Sequence, residues 1–254
     1  MKKLLFQSNV LMLLLVLSGC GGTKVLKEPE PLVITQSLAS ASDQRLAATL
    51  DWVIVRDGPG TWAKNVNWDE YLIRVQNLSD DSIRVSNISV LDSLGTTVEI
   101  RENRKQLVKG AKETKRRYKD EGLKVKVGAG LGRMMTTAGA VAVGISAAGA
   151  ASAGMATATG AAAVGGLIFV PIIAVGGVMR GINNRKVNKQ IESRQTLLPV
   201  VLQEEEEKSL DLFFPLAPSP RQLEITYADS QGEHTLIIDT HTALEGLHLT
   251  QAEK

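Results

Sequence analysis

Few side chains in this sequence could do chemistry, and their spacing limits what that chemistry would be. Cys20 is the only cysteine, so no intramolecular disulfide can form and no cysteine metal cluster exists. His234, His241 and His248 recur every seven residues, yet no second ligand stands at metal spacing from any of them. His234 falls in a strand pattern and the other two in a C-terminal tail, so all three are read as surface histidines. Carboxylates gather at turns and strand ends: Asp51 and Asp57 flank one strand, Asp69-Glu70 precede another, and Glu204 to Glu207 form a run. Such positions are ordinary turn chemistry and define no acid–base pair. Gly128, Gly130 and Gly132 are spaced GxGxG, which is not a dinucleotide fingerprint, and HExxH, GxSxG and P-loop patterns do not occur. The expectation is a protein that is not an enzyme, with no metal and no cofactor beyond what is attached to Cys20.

The surroundings of Cys20 say what that attachment would be. Met1-Lys2-Lys3 is a basic n-region, Val10 to Leu17 an apolar h-region, and small residues follow at Ser18 and Gly19. Leu17-Ser18-Gly19-Cys20 resembles the lipobox of bacterial lipoproteins. The resemblance implies cleavage before Cys20, diacylation of its sulfur and acylation of its amine. Two or three acyl chains, at about 0.8 kcal/mol per buried methylene, would anchor the chain durably where one would not. In that family an Asp after the cysteine implies inner-membrane retention. Here Gly21 follows, which implies the outer membrane with the body facing the periplasm. Residues 1–19 are then the signal peptide, and 20–47 the lipidated cysteine and a tether containing Pro29 and Pro31.

The largest anomaly lies mid-chain. From Met134 to Met179 there are 46 residues without one Asp, Glu, Lys, Arg or His, built mainly of Ala, Gly and Val. An apolar stretch longer than about 18 residues reads first as membrane-spanning, and as helix this one would extend about 69 Å, twice a hydrocarbon core. Two arms, 134–154 and 161–179, folded back on each other fit better. Small residues four apart would let helices approach: Ala140, Gly144 and Ala148; Ala150 and Gly154; Ala161 and Gly165; and at the flanks Gly128 with Gly132 and Gly177 with Gly181. Together with the acylated cysteine, residues 128–181 resemble the glycine-zipper two-helix outer-membrane lipoproteins. A flexible Ala/Gly linker is the alternative, but Leu167 to Val170 and Ile172 to Val175 are too apolar for a solvated one.

Charge is segregated around this run. Residues 101–194 carry 17 Lys/Arg against 5 Asp/Glu, a net +12, while the rest of the chain carries −10 and the whole +2. A basic insert within an acidic remainder points to an anionic partner for the insert alone. Lys115, Arg116, Arg117, Lys124, Lys126 and Arg133 before the run, and Arg180, Arg185 and Lys186 after it, are the candidates for the membrane surface. Each would be worth about 1 kcal/mol at best beside anionic lipid. The partners expected are membrane lipid, lipopolysaccharide included, and further copies of the chain through the hairpin. Nucleic acid is not expected, because the basic stretch offers only Tyr118 for stacking.

Strand patterns fill the remainder. Leu50 to Val55 ends at the Asp57-Gly58-Pro59-Gly60 turn. Tyr71, Ile73 and Val75 alternate with less apolar neighbours, and Ile83, Val85, Ile88 and Val90 make one long strand or two short ones. Leu223, Ile225 and Tyr227 alternate, and Asp229-Ser230-Gln231-Gly232 links them to His234 to Asp239 as a hairpin. "YLIRVQNLSDDSIRVSNISVLDSLG" and "LPVVLQEEEEKSLDLFFPLAPSPRQLEITY" resemble immunoglobulin-like domains of bacterial surface lipoproteins. The expected fold is therefore α+β: an antiparallel immunoglobulin-like β-sandwich (48–100 and 196–242) interrupted by a long, Ala/Gly-rich, membrane-type α-helical hairpin. The hairpin with its basic flanks spans 101–195 around an apolar core of 134–179, and 243–254 form a C-terminal tail.

Three functions follow from that architecture. The first is a lipid-anchored envelope protein whose hairpin enters or packs on the membrane, self-associates and supports outer-membrane integrity. The second is an oligomeric pore or membrane-disrupting protein, for which Thr136, Thr137, Ser146, Ser152, Thr157 and Thr159 supply only a thin polar stripe. The third is a periplasmic adaptor that binds its partner through the sandwich.

Overall fold

The computed structural model describes residues 22–29, 31–137 and 180–250. The strands are β1 (Lys24–Val25), β2 (Ala39–Ser42), β3 (Leu46–Ile54), β4 (Ala63–Lys64), β5 (Trp68–Asn77), β6 (Ile83–Leu91), β7 (Thr97–Glu99), β8 (Val200–Leu202), β9 (Glu207–Pro215), β10 (Gln222–Asp229) and β11 (Gly232–Asp239). Four helices accompany them: α1 (Arg104–Asp120), α2 (Leu131–Thr137), α3 (Arg180–Arg194) and α4 (His241–Leu244).

The strands pair antiparallel in two main sheets, one ordered β2-β3-β5-β9 and the other β11-β10-β6-β7 with β8 also on β6. Their apolar faces enclose one core, to which β3 gives Leu46, Leu50 and Trp52, β5 gives Tyr71, Ile73 and Val75, and β10 gives Leu223, Ile225 and Tyr227. The change of parity in β6, from Ile83 and Val85 to Ile88 and Val90, is resolved by a bulge. Tyr227 faces Val85 and Thr226 faces Asn87, so Ser86 is the extra residue that returns the later apolar side chains to the core. The sequence left one strand or two open here, and the structure has one bent strand.

Strand β5 is buried on both faces, because a second layer covers the outside of its sheet. There Trp68 and Phe213 join Val25, Trp62, Ala63 and Val66 with Leu107 of α1 and Val187 and Ile191 of α3. Helix α1 starts at Asn103, whose side chain accepts the Gln106 N–H, and buries Leu107, Ala111, Thr114 and Tyr118, a stripe of helical period. It lies so close to β9 that a Cβ on Gly110 would stand 2.6 Å from Pro215. Gly122 ends it in the left-handed region (φ +73°), donating to the Lys119 carbonyl while Leu123 donates to that of Tyr118. That pair of bonds is a Schellman motif.

This architecture corrects the expected fold class. The described residues are mostly β-sheet with four short helices, none of them long and apolar enough to cross a membrane, and among them there is no long α-helical hairpin. Helix α1 is basic and stops at Gly122, and Gly128 and Gly130 take positive φ (79° and 77°) before α2 begins at Leu131. The basic approach, rich in Lys, Arg, Gln and Glu, raised the expectation of helix running into the uncharged segment, but the left-handed glycines at 122, 128 and 130 break that approach into separate pieces. Most of the two arms, residues 138–179, lies outside the described residues.

Candidate functional site

At the start of β5 two adjacent acids, Asp69 and Glu70, are 0 % and 1 % exposed. Successive side chains of a strand point to opposite faces, so one chain position serves two environments. Asp69 turns to the end of the sandwich core, and Glu70 to the layer of helices outside it. Each holds one end of the connection that contains the uncharged run.

On the core side the partner of Asp69 is His248, itself fully buried in the C-terminal tail. The imidazole Nε2 lies 2.8 Å from Asp69 Oδ2, and Nδ1 accepts the backbone N–H of Gly128 at 3.0 Å. Because Nδ1 accepts, the ring proton sits on Nε2 and is donated to the carboxylate. The second Asp69 oxygen is buried with no hydrogen-bond partner among the described residues, so the imidazole is a principal support of this carboxylate. Backbone bonds lock the same stretch: Lys126 N–H to the His248 carbonyl, and His248 N–H to that of Ala129. Gly128 and Gly130 permit this approach, since a Cβ would stand 2.8 Å from the Arg56 carbonyl oxygen in one case and 2.3 Å from that of Gly246 in the other. Beyond them Leu131 packs on the core and Met134 enters it, beside Ala243, Leu244 and Leu247 from the tail.

On the outer side Glu70 meets Arg194, the last residue of α3. Arg194 Nε donates to Oε1 at 2.8 Å, Nη2 stands 2.7 Å from the same oxygen, and the Trp62 indole N–H donates to Oε2 at 2.7 Å. The guanidinium carbon also lies 5.6 Å from the Trp62 ring centre. Asn188 of α3 accepts the Arg104 N–H, joining the two helices at their base. Burial pushes Glu70 above the usual carboxylate range, against the pull of Arg194 and the Trp62 N–H.

Asp211 of β9 is raised to about 6 by burial and by the charge of Glu70, with Arg194 opposing. Two acids thus face one guanidinium. The raised native value means that Asp211 favours the folded state below its unfolded pKa near 4 and that this advantage is lost as pH rises through 6. Wild type should therefore lose on the order of 2 kcal/mol between pH 4 and pH 7 relative to Asp211→Asn. Urea melts of the two chains at both pH values measure it.

The sequence-predicted residues are distributed as follows. Cys20, its lipobox Leu17, Ser18 and Gly19, and Ala140, Gly144, Ala148, Ala150, Gly154, Ala161, Gly165 and Gly177 lie outside the described residues. Gly128 is outside any helix and meets Arg56 of the β-rich body, Gly132 lies in α2 with open space around it, and Gly181 lies in the first turn of α3. Of the basic set, Lys115 donates to Asn67, Arg117 pairs with buried Asp92 at 3.1 Å, and Arg133 pairs with Glu245. Arg116, Lys124, Lys126 and Arg185 are exposed, and Arg180 and Lys186 belong to α3.

The reading of three surface histidines fails for His248, and the reading of Asp69-Glu70 as ordinary turn carboxylates fails for both. Their signal was present: two adjacent acids inside Trp68-Asp69-Glu70-Tyr71-Leu72-Ile73, an otherwise apolar strand. Among the described residues no group of three His, Cys, Asp or Glu could hold a metal ion.

No family model matches the chain, and no curated protein does. Among solved structures a candidate lipoprotein of Bacillus subtilis, YcdA, is similar at 9 % identity and a TM-score of 0.31, over 79 % of this chain. The chain spans 38 % of that protein's length. Likeness at this level decides neither fold nor function.

Proposed function

We propose that this chain is a lipid-anchored protein of the bacterial envelope, without enzymatic chemistry of its own. It is held at the outer membrane by acylated Cys20 and offers its uncharged segment to the membrane and to further copies of itself. The observation that carries this reading is the adjacent buried pair, Asp69 and Glu70. Each fixes one end of the connection, through His248 to Gly128 and through Arg194 to α3. A segment that were only a passive linker would not call for two buried charge pairs at its roots, which cost desolvation energy that apolar packing avoids. The sequence supports the other half of the reading: an export signal ending in Leu17-Ser18-Gly19-Cys20.

Radiolabelled palmitate and membrane fractionation test it. The wild-type chain should take up label and sediment with outer membranes, and Cys20→Ala should take up none. Deleting 138–179 from the Cys20→Ala chain should release it to the soluble fraction. Label on Cys20→Ala, or a wild-type chain found in the soluble periplasm, would overturn the proposal.

A further inference from the structure

Where α1 ends, the chain forms an open groove of about 410 Å³ lined by Lys115, Lys119, Gly122, Leu123, Lys124 and Val125. None of the six is acidic. Behind it, Lys115 of the lining takes part in an unusual pairing: Lys115 Nζ and Arg56 Nη2 donate to the same neutral oxygen, Asn67 Oδ1, at 3.2 and 3.4 Å. Two half-buried cations therefore converge on one acceptor that carries no charge, and the Arg56 Nε is buried with no hydrogen-bond partner among the described residues. Burial lowers the pKa of both, and Arg56 lowers that of Lys115 further, while Asp57 partly offsets the charge of Arg56. Cations crowded in this way have lost water for only a partial counter-charge from Asp57, and an anion would supply the rest. At the outer end Lys119 and Lys124 are exposed, and between them Leu123 shows 42 % of its surface. The left-handed Gly122 puts no side chain across the mouth.

We propose that this groove binds the phosphate of an anionic phospholipid headgroup, with Lys115, Lys119 and Lys124 around the phosphate and Leu123 against the glycerol and upper acyl chain. Cations ringing an exposed apolar side chain match a molecule that is anionic at one end and apolar at the other. The groove's position fits as well, because residues 122–125 lead directly to the Gly128 root of the uncharged segment. The inference deepens the membrane reading above and rests on it.

Vesicle co-sedimentation of the full-length Cys20→Ala chain tests it, since no acyl anchor then contributes. Failure of acylation at Cys20 in the wild type would leave this result unmoved. The chain should bind vesicles in which one lipid in three is phosphatidylglycerol at least about tenfold more tightly than pure phosphatidylcholine vesicles. Adding Lys115→Gln, Lys119→Gln and Lys124→Gln should abolish that preference. Lys119→Gln with Lys124→Gln alone, which spares the half-buried lysine and so the fold, should reduce it severalfold. Adding Lys105→Gln, Lys109→Gln and Lys112→Gln instead, on the exposed side of the same helix, should leave most of it. Absence of any preference, or equal loss in the two triple variants, would overturn the site. Saturable binding of inorganic phosphate without a preference for anionic vesicles would overturn the lipid assignment.

Discussion

Arg194→Met should lower the free energy of unfolding by about 3–5 kcal/mol, because it strands the Glu70 carboxylate in a dry layer. Arg194 and Glu70 side chains are 5 % and 2 % exposed, so little solvent screening softens the loss. The Trp62 N–H would remain on Oε2, but Oε1 would lose both guanidinium contacts. The companion experiment is Arg194→Met with Glu70→Leu, which removes both charges. Apolar residues in place of a buried ion pair are commonly neutral or better, so the double variant should recover most of the loss. Urea titrations of the three chains decide it. A single variant as stable as wild type would mean that Glu70 does not depend on Arg194.

His248→Ala should cost about 3 kcal/mol, for a related reason on the opposite face of the same strand. The imidazole is the donor to Asp69 and the acceptor for Gly128, so one truncation leaves a buried carboxylate without its bond and a backbone N–H unpaired. Asp69→Asn should cost less, because its amide oxygen can still accept the Nε2 proton. Beyond the melt, amide exchange separates the two effects: Gly128 should exchange much faster in His248→Ala and only slightly faster in Asp69→Asn. Unchanged Gly128 protection in His248→Ala would show that the tail does not hold this root.

The strands were legible wherever burial has a local period. Leu223, Ile225 and Tyr227 announce the buried face of β10, and the Asp229 to Gly232 turn announces its pairing with β11. Tyr71, Ile73 and Val75 do the same for β5. The acid pair escaped because its partners are remote: His248 lies 179 residues from Asp69, and Arg194 lies 124 from Glu70. Periodicity registers which side chains face inward, but not which distant group will meet a charge there. The long helical hairpin was misjudged for the opposite reason. Composition made the whole of 101–126 look like continuous helix leading into the run, whereas the left-handed glycines at 122, 128 and 130 break that approach one residue at a time. His248 combined both difficulties, since it sits in a short tail and is itself at φ +62°.

The adjacency of Asp69 and Glu70 has an engineering corollary. With both anchor points on neighbouring residues of a central strand, the rest of the body need not sense how many residues run between Thr137 and Arg180. Closing a loop twice as long costs only about 0.6 kcal/mol more. The body is then a mounting bracket, and foreign sequences spliced in at those two points should leave it standing.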